Sequence, residues 1–262
     1  MYRLIFCMLF SCLAIGCAKS NIETINIAGS TAFQPFAEKL AEEYMAGKND
    51  VRINVQGGGS AVGIQSAQSG VAQIGMADMV TLPKEAQGLN TVVVAKDAVV
   101  LIVHPNNKIA NLTPLQIQQI FSGQVKKWKE VGGEDKPITV ISREEGSGTR
   151  VSFEELLLAG TKVSAGALIQ DSSGAVRTMV ENDPNSISYL TYGLVTDRVK
   201  SLKIDGVSPT LQNIKKGRYK IIRPIFLLTK GPAEGKIGEF IEFILSEQGQ
   251  QLISDYGLIP VK

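Results

Sequence analysis

The stretch VRINVQGGGSAVGIQSAQSGVAQIGMADM, residues 51 to 79, decides the fold class. Val51 to Gln56 reads as a strand, Gly57, Gly58 and Gly59 as a turn, Ala61 to Ser69 as a helix, and Ile74 to Ala77 as another strand. The same alternation extends upstream. INIAG (Ile25 to Gly29) reads as a strand, and Phe33, Phe36, Ala37, Leu40, Ala41 and Tyr44 then fall at helical spacing. Strands alternating with helices predict an α/β protein built on largely parallel sheets with both faces covered.

Downstream, Thr91 to Val103 holds two apolar runs, VVVA and AVVLIV, broken by Lys96 and Asp97. After His104 and Pro105 come a helix-like TPLQIQQIFSG with Pro114 in its first turn and a strand from Ile138 to Ser142. A helix from Ser147 to Leu158, a capped segment from Ser172 to Glu181 and a strand from Ile187 to Thr191 follow. RPIFLLT (Arg223 to Thr229) reads as a strand, and two helical segments, Lys236 to Leu245 and Glu247 to Tyr256, close the chain. The length exceeds that of a typical single domain, which points to two lobes.

The N-terminus has another character. MYRLIFCMLFSCLAIGC carries one basic residue, Arg3, then an apolar run from Leu4 to Ile15 that is too short to cross a bilayer, then Gly16 and Cys17. This is a secretory signal, residues 1–16, and it resembles the bacterial lipoprotein box, in which Cys17 is lipidated and becomes the first mature residue. Cleavage would remove Cys7 and Cys12 and leave one cysteine, so no internal disulfide could form. The expected location is extracytoplasmic, anchored by lipid to a bacterial membrane.

Composition excludes several functions. With 27 Lys+Arg against 25 Asp+Glu, a net charge of +2 supports no nucleic-acid partner. Three cysteines and the single His104 are too few for a Cys/His zinc site or a Ser-His-Asp triad; composition leaves Asp/Glu/water sites for magnesium or calcium open, but no motif calls for a metal or cofactor and none is expected. His104 reads as a loop or core residue, and Trp128, flanked by Lys126, Lys127 and Lys129, as a surface anchor. Ile64 stands where a P-loop needs lysine, Val151 stands where a dinucleotide fingerprint needs glycine, and no G-x-S-x-G occurs.

Three places put hydroxyls and backbone amides at the start of a helix directly after a strand: Gly29-Ser30-Thr31-Ala32, Gly57-Gly58-Gly59-Ser60, and Arg143 through Arg150, REEGSGTR. The first turn of a helix has unpaired N–H groups and the positive end of the macrodipole, so each is either an ordinary N-cap or an anion cradle. Asp78 ends the third strand, where a turn or cap role is ordinary. Were it to share a cavity with the cradles, a carboxylate facing an anion would need a proton between them. Hydrogen phosphate carries that proton at neutral pH and sulfate does not, which would give a basis for rejection.

Five stretches carry a resemblance over nearly the whole length beyond the signal: AGSTAFQPF (28–36), residues 57–79, REEGSGTR (143–150), SISYLTYGLV (186–195), and RPIFLLTKG with FIEFILSEQGQQLISDYGLIPV (223–231, 240–261). The chain resembles the PstS family, the phosphate-binding proteins of phosphate ABC transporters, which are type II solute-binding proteins. The resemblance implies two α/β lobes with the ligand between them: 22–102 plus 226–262 as one lobe, 103–225 as the other. It implies ligand contacts from Ser30, Thr31, Ala32, Ser60, Asp78, Arg143, Ser147, Gly148 and Thr149, with Phe33 offering an amide and Glu145 standing where some members orient the arginine. It further implies a monomer that captures phosphate without chemistry and delivers it to membrane ABC permease subunits. The competing readings are a binding protein for sulfate or molybdate, a phosphoester hydrolase using Asp78 or Ser147, and an adhesin that has lost its ligand.

Overall fold

The computed structural model describes residues 22–261, so the signal segment 1–16 and Cys17 lie outside the described residues. In chain order the elements are β1 (Glu23–Gly29), α1 (Gln34–Met45), β2 (Val51–Gly57), α2 (Ser60–Ser69), β3 (Ile74–Asp78) and β4 (Asn90–Val103). Then come β5 (Asn111–Leu112), α3 (Pro114–Phe121), β6 (Thr139–Arg143), α4 (Gly148–Phe153), β7 (Leu168–Gln170), α5 (Ser173–Asn182) and β8 (Ser186–Thr191). The chain ends with β9 (Lys200–Ser201), β10 (Lys203–Ile204), α6 (Leu211–Lys215), β11 (Ile222–Thr229), α7 (Gly235–Leu245) and α8 (Glu247–Asp255).

The strands run in the order β2-β1-β3-β11-β4-β8-β6-β7, with β9 beside β4. At both outer ends the pairing is parallel: β1 with β2 and β3, β6 with β7 and β8. Between them β4 and β11 run antiparallel to their neighbours and join the halves. This is the α/β two-lobe architecture of type II solute-binding proteins, with the parallel β-α-β units outside and two long crossing strands in the middle.

Two apolar cores hold the halves. Ile25, Ile27, Leu40, Ile53, Met76, Leu227, Phe240 and Ile253 pack in one, and Ile117, Phe121, Ile141, Phe153, Val176, Ile187 and Tyr189 in the other. Fully burying each such side chain contributes roughly 1.5–3 kcal/mol. Along β4, Val94 and Ala95 belong to the first core and Ala98 to Val103 to the second. The two apolar runs of the sequence are therefore one 14-residue strand that changes core at Lys96 and Asp97.

At this change Pro224 of β11 lies opposite Lys96, whose N–H and C=O turn to the other side and pair with Ile259 of the C-terminal tail, at 2.8 and 2.9 Å.

Three local expectations need correction. Trp128 is no surface anchor: it is 3% exposed, and its indole N–H donates to the Asn185 carbonyl at 3.0 Å. The helix read from Ser147 to Leu158 is regular only to Phe153 and continues as a π-helical turn over Glu154–Leu158 that ends on left-handed Ala159. The short strands β5, β7, β9 and β10 lie in stretches that the sequence reading left without elements, because two- and three-residue strands carry no period.

Candidate anion-binding site

The three glycine-rich turns meet where the halves face one another. β1 ends on Gly29, and the Ser30 amide donates to Met76 O on β3 at 3.0 Å, which fixes the turn beside Asp78. The Ser30 hydroxyl accepts from the Ala32 and Phe33 amides at 3.2 and 3.1 Å and so closes the turn that leads into α1. Thr31 points the other way: its Oγ1 accepts from Arg143 Nη2 at 3.1 Å and from the Ser173 amide at 3.3 Å.

The second turn is shaped by Gly59, whose φ of 90° favours glycine, and it delivers Ser60 to the first residue of α2. Ser60 Oγ donates to Asp78 Oδ1 at 2.7 Å and accepts from the Asp78 amide at 3.1 Å. Asp78 is 2% exposed. Its Oδ2 lies 2.6 Å from Arg223 Nη2 as an ion contact without hydrogen-bond geometry, and it has no hydrogen-bond partner.

The third turn follows β6. Ser147 caps α4 by accepting the Arg150 amide at 3.3 Å, and Ser147, Gly148 and Thr149 are all buried. Gly148 abuts the second turn so closely that an added Cβ would lie 2.6 Å from Asp78 Oδ1 and overlap Ser60 Oγ. The Ala61 amide also donates across the gap to Gly146 O at 3.1 Å.

Arg143 is 2% exposed and spreads its guanidinium over several partners. Nε and Nη2 form a two-point pair with Glu144, at 2.9 and 2.8 Å, while Nη1 reaches Ser173 Oγ at 3.0 Å. Glu144, and not Glu145, therefore orients the arginine. β6 sends alternate side chains to opposite faces, but past its last residue the chain turns, so spacing alone did not settle which glutamate folds back. Behind the arginine, the buried Tyr189 hydroxyl bonds Ser142 Oγ at 2.7 Å and accepts the Arg143 amide at 3.3 Å. Burial pushes that hydroxyl up to about 12, so it stays protonated.

The structure brings Ser30, Thr31, Ala32, Ser60, Asp78, Arg143, Ser147, Gly148 and Thr149 to one place. Four participants escaped the sequence reading: Glu144, Ser173, Asp97 and Arg223. Asp97 and Arg223 are 1% and 0% exposed. The signals available for them were the Lys96-Asp97 interruption in an otherwise apolar strand and an arginine opening RPIFLLT. His104 sits in a loop, partly buried, its Nδ1 accepting the Asn106 amide at 3.1 Å.

Convergent helix starts, hydroxyls and a guanidinium held by Glu144, with the Asp78 carboxylate beside them, define a solute-binding protein for a small oxyanion. The PBP superfamily domain matches residues 18–248. The phosphate-binding protein PstS of Bacillus subtilis is 36% identical over 243 residues, covering 91% of this chain and 81% of that protein. PstS of Borreliella burgdorferi is 28% identical over 97% of this chain and 96% of its own length. A phosphate ABC transporter substrate-binding protein from Clostridium perfringens, solved with bound phosphate, superposes with a TM-score of 0.87 at 40% identity, covering 92% of this chain and all of that one. The chain belongs to the PstS family of phosphate-binding proteins. Among the described residues no helix is long and apolar enough to cross a membrane.

Proposed function

We propose that this chain captures inorganic phosphate outside the cytoplasm and presents it to the membrane subunits of an ABC transporter, with no chemical step. The ligand lies between the two halves, held by Arg143, by the Ser60, Ser147 and Thr149 hydroxyls, and by the Thr31 and Gly148 amides, while the Ser30 and Ala32 amides, bonded to Met76 O and Ser30 Oγ, shape the first turn. Thr31, now bonded to Arg143, exchanges that bond for one to the ligand. A micromolar site requires about 8 kcal/mol, and several charge-assisted bonds of roughly 1.5–3 kcal/mol each supply it after ordering costs.

One observation carries this reading. Asp78 is a buried carboxylate at the junction of three helix starts, its Oδ1 bonded by Ser60 and its Oδ2 in ion contact with Arg223 at 2.6 Å. A carboxylate there accepts a hydrogen bond from the proton of hydrogen phosphate and repels sulfate. The proposed lobes follow the two cores, with the change of lobe on β4 at Lys96–Asp97, earlier than the division at residue 102 suggested by resemblance. A lipid anchor at Cys17 and a monomeric state belong to the same proposal.

Calorimetric titration of the purified protein with phosphate, sulfate and molybdate is the test. Phosphate binding with sulfate rejected is the expected result, and Asp78→Asn should narrow the gap at least tenfold. Preference for sulfate or molybdate would overturn the assignment, as would sustained release of product from a phosphomonoester.

A further inference from the structure

Arg223 and Arg143 are the largest fully buried side chains among the described residues, and phosphate capture, as described so far, uses only Arg143. Arg223 opens the crossing strand β11 and is completely buried. Four of its five N–H donors are committed. Nη1 donates to the Asp78 carbonyl at 2.9 Å, Nη2 donates to Asp97 Oδ2 at 2.9 Å and to Thr191 Oγ1 at 3.0 Å, and Nε reaches Asp97 Oδ2 at 3.2 Å. The same Nη2 lies 2.6 Å from Asp78 Oδ2. It thus faces β3, β4 and β8 at once, and the titratable or charged groups packed around it are Asp78 and Asp97, with the Tyr219 hydroxyl beyond, bonded to Val99 O at 2.9 Å.

The charges do not balance. Two buried carboxylates share one guanidinium, so the cluster carries one surplus negative charge. Like-charged carboxylates in a dry site cannot both stay ionised without a cation between them. A protonated Asp78 would turn from acceptor to donor, and it would then welcome a fully deprotonated oxyanion. Asp97 has Arg223 as its cationic partner, and its affinity for protons is raised, burial outweighing the guanidinium and the Asp78 charge adding to it.

We infer that Arg223, held by Asp97, is a specificity-determining positioning residue: it keeps the Asp78 carboxylate ionised and aimed at the anion, and so sets the rejection of sulfate. The inference rests on the reading of Asp78 as acceptor of the ligand's proton. Arg223 touches no ligand in this scheme. It acts by its charge on Oδ2 and by its bond to the Asp78 carbonyl, which fixes the end of β3.

The test is a competition titration of phosphate against sulfate on wild type, Asp78→Asn, Arg223→Gln and Arg223→Lys. Arg223→Gln is expected to lower the phosphate-to-sulfate affinity ratio at least tenfold by admitting sulfate. Arg223→Lys, which restores the charge, should stay within about threefold of wild type, a rescue that a purely structural role would not show. If Arg223→Gln does not fold, the double variant Asp97→Asn, Arg223→Gln, which removes the like-charged neighbour and restores the net charge of the cluster, should reject sulfate as wild type does, and a ratio collapsed to that of Asp78→Asn would overturn the charge argument. Should the ratio survive Arg223→Gln alone while Asp78→Asn collapses it, this inference fails and the Asp78 reading stands. A ratio that Arg223→Lys lowers as far as Arg223→Gln would also overturn it, and an Asp78→Asn variant that still rejects sulfate would remove the Asp78 reading and this inference together.

Discussion

Arg143 and Arg223 are both buried arginines near the anion site, yet their surroundings assign them different work. Arg143 has one carboxylate, Glu144, and turns Nη1 and Nη2 towards neutral hydroxyls, Ser173 and Thr31, which can yield to a ligand. Arg143→Ala should therefore weaken phosphate by more than tenfold, about 1.4 kcal/mol, and calorimetry returning the wild-type affinity would remove it from the site. Asp97 gives a different readout. Burial raises its pKa to about 6, so the folded state holds that proton more tightly than the unfolded chain does. Its stabilising contribution is full below the unfolded value near 4, and it is lost as pH rises through 6. The melting temperature of wild type minus that of Asp97→Asn should accordingly fall between pH 4 and pH 7. A flat difference across that range would show that Asp97 ionises as an ordinary carboxylate.

At the scale of elements, α2 is positioned by what its glycines leave out. Gly63 packs so tightly on the sheet that an added Cβ would overlap Met76 O and come within 3.0 Å of Ala28 O and Gly29 Cα. Helix propensity alone would make Gly63→Ala stabilising by roughly 1 kcal/mol. Backbone atoms cannot swing aside, so overpacking of about 1–3 kcal/mol should win and lower the melting temperature by several degrees. A higher melting temperature would mean that α2 is free to lift off the sheet. This packing was half legible in the sequence. The period of apolar residues marked β1, α1, β2 and β3 to within a residue or two, and Pro114 after Thr113 marked the start of α3, which the structure closes with a capping box between Thr113 and Gln116. The cradles were legible because glycine and hydroxyl residues cluster where strand meets helix. Partners contributed from far along the chain were not. Ser173 reads as one more helix-start serine, and nothing local says that it faces Arg143 thirty residues earlier. Likewise Arg223 and Asp97 are 126 residues apart, and each looks like an interruption of an apolar strand until the antiparallel register lays Arg223 against Asp97.

At the scale of the whole molecule, the conformation seen is one in which the halves touch directly. Ala61 N donates to Gly146 O, Arg143 and the Ser173 amide both donate to Thr31, and the first turn of α4 rests against Ser60 and Asp78. Each of those hydrogen bonds contributes only about 1 kcal/mol net, so closure is a balance that a bound anion bridging both halves can tip. Gly146 offers a way to disturb that balance without touching a proposed ligand contact. Its backbone is not in the left-handed region, and a Cβ there would sit 3.4 Å from the Ala61 side chain across the gap, an ordinary contact. Alanine should be accommodated, whereas the branched end of leucine has nowhere to go but between the halves. Gly146→Leu is thus expected to melt within a few degrees of wild type, since neither core is involved, yet to bind phosphate at least tenfold more weakly. The loss should appear in a faster release rate more than in slower capture, because the wedge penalises the closed complex after the anion has arrived. Small-angle scattering at saturating phosphate should show wild type more compact than the variant. Equal compaction of the two proteins, with equal release rates, would show that the contact between Gly146 and Ala61 is incidental to closure.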